Sequence, residues 1–446
     1  VRKPLRAHLA ELVRLASPVI VARAGILTMA TADTVMLGHY RATDLAWYGI
    51  GVVPFVLLML IGIGLLTGTL VMTSHARGAG TPQECGVVWR RSLPYAVLIG
   101  AVATLLTRFA EPLFLVLGQS PDIAAGGARV TEIAGMALVP TLLYVTTGFF
   151  LEGLARPAPG MIIVVCANVL NIALNWLLIF GNAGLPAMGA EGAILATSLT
   201  RLGMAAAILS YVWWMADRDA FAVRVRPSGR WWREGREQRL LGYAAGVSQG
   251  VETAAFNSLT IMAGLIGPVA LAAYAVIMNV TALVFMLALG LGAATAVRVG
   301  AARGAGDGHG IAAAGWVGLG MTVAVMGAFS ILLFALPESV AALYSDEPAL
   351  RAALPALIVV LAFVVVPDGG QVVMAYALRG AGDAWVPTAS HMFSYLAVMI
   401  PAGWLLAFSA GHGTAGLLEA IAFASLVSLA ILVLRFRAVT RDRERG

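Results

Sequence analysis

Apolar runs of about 20 residues or more recur along the whole chain, separated by short charged or glycine-rich stretches. A helix rises 1.5 Å per residue, so a run of that length matches the ~30 Å hydrocarbon layer of a bilayer. Charge is scarce as well: 12% of the 446 residues are Asp, Glu, Lys or Arg, against about 25% in an ordinary soluble domain. So little charge does not cover a water-exposed surface of this size. These features exclude a soluble enzyme, a disordered tail protein and a nucleic-acid binder of the usual kind. They imply an all-α polytopic membrane protein.

Apolar runs bounded by charge, Gly and Pro predict twelve transmembrane helices at about 12–38, 45–72, 92–118, 129–151, 160–184, 192–215, 241–264, 268–297, 311–336, 354–377, 386–409 and 413–434. The first follows only about a dozen residues and is too long for a signal-peptide core, so it is expected to remain a span. Basic residues set the orientation. With the N-terminus in the cytoplasm, 22 of the 29 Lys and Arg residues fall on the cytoplasmic side. They include Arg2, Lys3 and Arg6, seven arginines from Arg218 to Arg239, and five from Arg435 to Arg445. Arg41, Arg108, Arg129 and Arg351 lie opposite, and Arg14, Arg23 and Arg201 fall inside spans. Both termini are therefore expected to be cytoplasmic.

The chain repeats itself. Ala76-Arg77-Gly78-Ala79-Gly80 recurs as Ala302-Arg303-Gly304-Ala305-Gly306, an offset of 226. Gly38 meets Gly264 and Tyr48 meets Tyr274 at the same offset, and Pro140 meets Pro367 and Gly153 meets Gly380 one residue away from it. The expected organisation is an N-lobe at 1–215 (spans 1–6), a basic cytoplasmic linker at 216–240, a C-lobe at 241–434 (spans 7–12) and a cytoplasmic tail at 435–446. Six spans per copy make the repeat parallel, the plan of many secondary transporters, in which a cavity forms where the two bundles meet.

Three acids lie inside spans: Asp33 in the first, Glu252 in the seventh and Asp368 in the tenth. A carboxylate at mid-bilayer costs roughly 2.5–3.5 kcal/mol on insertion scales, so it marks a functional site by default. Glu252 is about 12 residues, or about 18 Å, from the cytoplasmic end of its helix, which puts it near the midplane. Asp368 has similar depth, and Asp33 is nearer the outer face. Asp368 sits in VVVPDGGQVV, where Pro367 removes an N–H and Gly369 and Gly370 loosen the following turn. A kinked or broken helix is expected there, and a hinge at Pro140. Asn171 and Asn175, four apart, share a helix face and can serve a hard cation or tune a proton-carrying acid. Glu132, Glu152, Glu191 and Glu419 lie near span ends and read as interfacial. The lone Lys3 excludes a P-loop ATPase, and the histidines and cysteines have no metal-site spacing.

Four stretches in chain order resemble the multidrug and toxic compound extrusion (MATE) transporters, especially their NorM-like branch. They are TADTVMLGHYRATDLAWYGIG (31–51), LNIALNWLLIFGNAGLPAMGAEGAILAT (170–197), GVSQGVETAAF (246–256) and PDGGQVVMAYALRGAGD (367–383). The resemblance implies two six-helix lobes and, in the N-lobe, a cation- or proton-binding cluster of Asp33, Asn171 and Asn175, completed by Thr197 or Thr200. In the C-lobe it implies Glu252 and Asp368, with Na⁺ as a candidate metal. The aromatic residue that relatives place one turn before that acid is replaced by Val364. The expected function is a secondary antiporter of the cytoplasmic (inner) membrane, exporting amphipathic organic cations in exchange for Na⁺ or H⁺. It is expected to act as a monomer in membrane lipid, with no nucleic-acid partner and no cofactor beyond the coupling ion. The alternative is a lipid-linked oligosaccharide or lipid flippase of the same superfamily. Such flippases favour basic cavity residues, whereas the mid-span charges here are mostly acidic.

Overall fold

The computed structural model describes residues 4–225, 230–344 and 346–445. Arg2, Lys3 and the linker's Arg226 therefore lie outside the described residues, as do the side chains of Arg443 and Arg445. The described residues fold into helices and their connections, with no strand. In chain order the long rods are α1 (Leu5–Gly38), α2 (Ala42–Gly78), α3 (Pro82–Val116) and α4 (Pro121–Met136 with Leu138–Gly153). They continue as α5 (Ala158–Leu178), α6 (Gly189–Trp214), α7 (Arg236–Ile266) and α8 (Pro268–Gly304). The last four are α9 (Gly308–Ala335), α10 (Pro348–Gly380), α11 (Trp385–Ser409) and α12 (Thr414–Arg445).

Length and apolarity alone identify ten of these as spans among the described residues, and eleven once the two halves of α4 are joined across their 43° bend. The twelfth is α7. Ser248, Gln249, Glu252, Thr253, Asn257, Ser258 and Thr260 dilute its apolar character, so the helix least like lipid is one that carries an acid. Large apolar side chains remain exposed around the molecule, including Ile331 at 71% and Phe363 at 66%. Burying such surface in hydrocarbon, where every backbone polar group must be satisfied within the chain, accounts for an all-helical multi-pass membrane protein.

The repeated Arg-Gly-Ala-Gly stretch has a mechanical role. At the end of α2 the amides of Gly80 and Thr81 turn back to the carbonyls of Arg77 and Ala76, at 3.2 and 3.0 Å. Gly306 and Asp307 do the same at the end of α8, at 3.0 and 2.9 Å. A third copy, Arg379-Gly380-Ala381-Gly382, closes α10 identically. Each second glycine adopts the left-handed conformation, with φ of +72°, +69° and +83°. The motif is a helix stop that returns orphan carbonyls to hydrogen bonds. At the end of α4, one repeat before Gly382, that place is taken by Ala155 with φ of +60°.

Contacts divide the chain into two compact units, Val21–Gly246 and Val1–Ile20 with Val247–Gly446. Within the first, Gly64 and Gly68 of α2 face Gly242 and Gly246 of α7 so closely that a Cβ on Gly68 or Gly242 would strike the partner's backbone carbonyl. These two GxxxG pairs let the backbones touch, the usual device for packing helices in lipid. Linker residues 215–225 also belong to this unit. Asp217 pairs with Arg156 at 2.6 Å, and the Ala222 carbonyl accepts from Arg90. In the second unit, Ala16 and Ile20 lie against Gly290, and Glu11 pairs with the buried Arg298 at 3.8 Å. Those contacts place the first twenty residues with the second unit.

Of the kink or break expected at Pro367, the structure excludes the break. Helix α10 runs without interruption from Pro348 to Gly380, with Pro355 and Pro367 inside it. Gly369 lies against Met326 and Thr322 of α9, and Gly370 against Leu429 of α12 and Leu319 of α9. The glycines here admit close neighbours. In α4 the chain does turn, at Ala137, three residues before Pro140. Replacing Ala155 with glycine should raise thermal stability by about 1 kcal/mol, because a left-handed non-glycine residue costs roughly 1–2 kcal/mol. Gly382→Ala should lower it by at least as much, since the new Cβ would also collide with Arg303. Melting of the two purified variants against the parent checks both signs.

Candidate functional site

Asp33, on α1, is 1% exposed and surrounded by hydrogen-bond donors from three other helices. Tyr48 of α2 donates its hydroxyl to Oδ2 at 2.9 Å, and Thr197 of α6 donates to the same oxygen at 2.6 Å. Asn175 of α5 donates to Oδ1 at 2.6 Å. Asn171, one turn earlier, donates to Thr197 Oγ1 at 3.0 Å and accepts from Asn175 at 3.2 Å. The structure thus brings Asp33, Asn171 and Asn175 together as one network. It also separates the two threonines: Thr197 joins the acid, whereas Thr200 returns its hydroxyl to the Ala196 carbonyl of its own helix.

The second cluster lies wholly in the other unit. Asp368, 5% exposed, accepts from Gln371 at 3.4 Å and from Ser425 of α12 at 3.2 Å. Gln371 also donates to the Tyr395 hydroxyl of α11 at 3.0 Å. Tyr395 stacks on His391, which shares a 2.6 Å hydrogen bond with Ser248 of α7. Glu252, one turn along α7 from Ser248, is half-buried and feels the charges of both Asp368 and Arg379. Tyr395 thus brings an aromatic ring from α11 to this cluster.

The two clusters share a feature. Asn175 Oδ1 and Gln371 Oε1 are buried amide oxygens that accept no hydrogen bond. A buried acceptor left unpaired costs about 1–3 kcal/mol. Among the described residues, none of the three acids lies within ion-pair distance of a basic side chain. Arg23 pairs instead with Glu152, at 3.9 Å and with both side chains largely buried within the protein. The other three end-of-span acids keep exposed partners: Glu132 with Arg108, Glu191 with Arg129 and Glu419 with His412. Beside the Asp368 carboxylate, Ser425 Oγ, the Tyr395 hydroxyl and the unpaired Gln371 Oε1 offer oxygen, the ligand type of hard cations. Among the described residues no three His, Cys, Asp or Glu side chains converge, so two carboxylates, Glu252 and Asp368, are the most that any such site offers.

Sequence reading missed Tyr48, Gln371, Tyr395 and Ser425. Tyr48 carried a signal, since it belongs to the repeat and stands one residue before the glycine pair at 49–51. Gln371 follows Asp368 by three, within reach on a helix. Tyr395 and Ser425 are remote in sequence and left no local trace. Tyr395 also lies in the first of two wide, π-helical stretches of α11, Phe393–Met399 and Leu405–Ser409. Such turns occur frequently at functional sites.

Residues 18–177 and 244–405 match the MatE family model. A probable multidrug resistance protein NorM of Caulobacter vibrioides is 39% identical, over 99% of this chain and 94% of its own. A multidrug resistance protein NorM of Burkholderia vietnamiensis is 31% identical, over 96% and 93%. Among solved structures, the eukaryotic MATE transporter AtDTX14 superposes with a TM-score of 0.88 at 19% identity, covering 99% of both chains. A MOP superfamily transporter from Pyrococcus furiosus gives 0.89 at 19% identity, over 98% of this chain and 97% of its own. These structural likenesses establish the fold.

The hydrogen bonds set an order among the hydroxyls. Thr197→Val should cost about 1.5–3 kcal/mol, the usual range for a bond to a charged group, and Thr200→Val less than about 1.5 kcal/mol. Thermal unfolding of the two purified variants checks the order.

Proposed function

Since the chain belongs to the MatE family, whose members are transporters and not enzymes, we propose that it is a multidrug efflux antiporter exporting amphipathic organic cations in exchange for Na⁺ or H⁺. One observation carries this reading: buried carboxylates with no basic partner, each beside an amide oxygen that nothing donates to. A proton on the acid gives that oxygen a donor, and a sodium ion gives it a charge to coordinate. Either ion also removes the electrostatic cost of a negative group in a low-dielectric interior.

In the first unit the elements for this exchange are Asp33 with Tyr48, Asn171, Asn175 and Thr197. In the second they are Glu252 and Asp368 with Gln371, Tyr395 and Ser425. Loading either cluster changes its charge and its hydrogen bonds together. An ion that binds one arrangement of the helices better than another shifts the balance between them in proportion to that difference. Ion and substrate then oppose each other through occupancy, and export follows from an inward ion gradient. The orientation with both termini in the cytoplasm of an inner-membrane protein belongs to the same proposal. The scarcity of mid-span basic residues favours cation export over the flipping of anionic lipid-linked sugars.

Asp33→Asn, Glu252→Gln and Asp368→Asn should each abolish ethidium efflux from cells while the protein still reaches the membrane. Normal efflux by all three variants would overturn the coupling mechanism. Proteoliposomes with sodium and proton gradients imposed separately identify the driving ion by which gradient alone drives uptake.

A further inference from the structure

The segment after α6 carries seven arginines against four acids between 216 and 240. Within the first unit, several basic and aromatic residues gather where the apolar runs begin or end. Arg90 and Arg91 immediately precede the apolar run of α3, Arg239 precedes that of α7, and Trp213 and Trp214 close α6. That is the depth of lipid headgroups, which tryptophan favours. Trp213, Trp214 and Trp232 are all exposed, Trp232 at 43%.

Two guanidinium side chains converge at this level. Arg239 is 8% exposed and lies over the Trp232 ring at 3.8 Å, and Tyr95 of α3 meets that ring edge-on at 6.1 Å. A Cβ on Gly235 would stand 3.1 Å from Arg239 Nη1 and 3.7 Å from Arg91 Cδ, so the two arginines flank one glycine. Arg91 gives one η nitrogen to the Glu234 carbonyl at 2.8 Å, and its Nε is buried without an acceptor. Next to it, Arg90 donates to the Ala222 carbonyl and also keeps a buried, unused Nε. Among the described residues no carboxylate stands within ion-pair distance of Arg90, Arg91 or Arg239. Glu234 and Glu84 act on Arg91 from further away. Arg156, by contrast, has its carboxylate in Asp217. Orientation in the membrane accounts for positive charge on this face, but not for taking it out of water without a counter-charge.

We propose that Arg91 and Arg239 hold the phosphate of an anionic phospholipid, in the leaflet that borders the linker. A guanidinium stacked on an aromatic ring keeps its N–H edge for an anion, and that planar edge matches two phosphate oxygens at once. Basic pockets between membrane helices are a recurrent receptor for anionic headgroups. Here α3 and α7 supply the two arginines, and Trp232 stands between Tyr95 and Arg239. The depth of the site decides between a lipid and a free phosphate ion, since the arginines stand where the apolar runs start and the tryptophans around them are exposed.

The test uses no gradient and no drug, so its outcome is independent of the efflux reading. The full chain in neutral detergent is titrated with dioleoyl phosphatidylglycerol or dioleoyl phosphatidylcholine, which share their acyl chains and phosphate and differ in net charge. Native mass spectrometry counts the lipid retained. The parent protein should bind its first phosphatidylglycerol about tenfold more tightly, the scale of one charge-assisted contact. In Arg91→Gln/Arg239→Gln that ratio should fall towards one. In Arg233→Gln/Arg236→Gln, which removes the same charge from exposed positions, it should persist. Arg239→Lys keeps the charge without the fork and should retain only part of the ratio, which decides the matter if the double glutamine variant does not fold. Millimolar inorganic phosphate should leave the bound phosphatidylglycerol in place. A parent protein that binds both lipids equally overturns the proposal without any variant. So does an Arg91→Gln/Arg239→Gln protein that keeps the parent's ratio, or an exposed-pair variant that loses it to the same extent. Displacement of the lipid by inorganic phosphate would make this a site for the free ion and overturn its assignment to lipid.

Discussion

Hydrocarbon offers no hydrogen-bond partner, and most of this structure follows from that constraint. Backbone amides and carbonyls must be satisfied within the chain, so every long element is a helix. The constraint reaches the helix ends as well, where three Arg-Gly-Ala-Gly stops fold the final carbonyls back onto amides. Packing cannot come from the hydrophobic effect, because lipid is as apolar as leucine, and the glycine pairs of α2 and α7 gain close backbone contact instead.

The same constraint makes the polar side chains informative. Asp33 and Asp368 have each gathered donors within a span, and the helices that supply them are thereby tied to the acid. Asp33 draws on α2, α5 and α6, and Asp368 on its own helix and α12. The internal repeat does not carry this chemistry with it. Tyr48 donates to Asp33, whereas Tyr274, 226 residues on, is buried with an unpaired hydroxyl, and Leu259 stands where the acid would be. The two halves share a scaffold and helix stops, while their acids sit at different positions: Glu252 is on α7, the rod equivalent to α1, but before Leu259, and Asp368 is on α10.

Much of the fold was legible because hydropathy and length are collective properties of many residues. The twelve rods, the parallel repeat and the three acids could all be read from runs, offsets and charge. The spacing of Asn171 and Asn175 placed them on one face, and the structure sets both beside Asp33. Tertiary contacts that depend on single side chains were not legible. Nothing local tells Thr197 from Thr200, or says that Tyr395 on α11 meets Gln371 on α10. At α10 proline and glycine do not end the helix, and Gly369 and Gly370 instead pack against α9 and α12.

The two wide stretches of α11 separate its ends in rotation as well as in height. A π turn holds about one residue more than the 3.6 of an α turn. Squeezing one such turn back to ordinary pitch swings everything beyond it by about 100° around the axis. For α11 that is the difference between Tyr395 pointing at Gln371 and Tyr395 pointing elsewhere. A helix wound in this way stores a change of facing direction that needs no hinge and no unravelling, only one residue moving from one coil to the next.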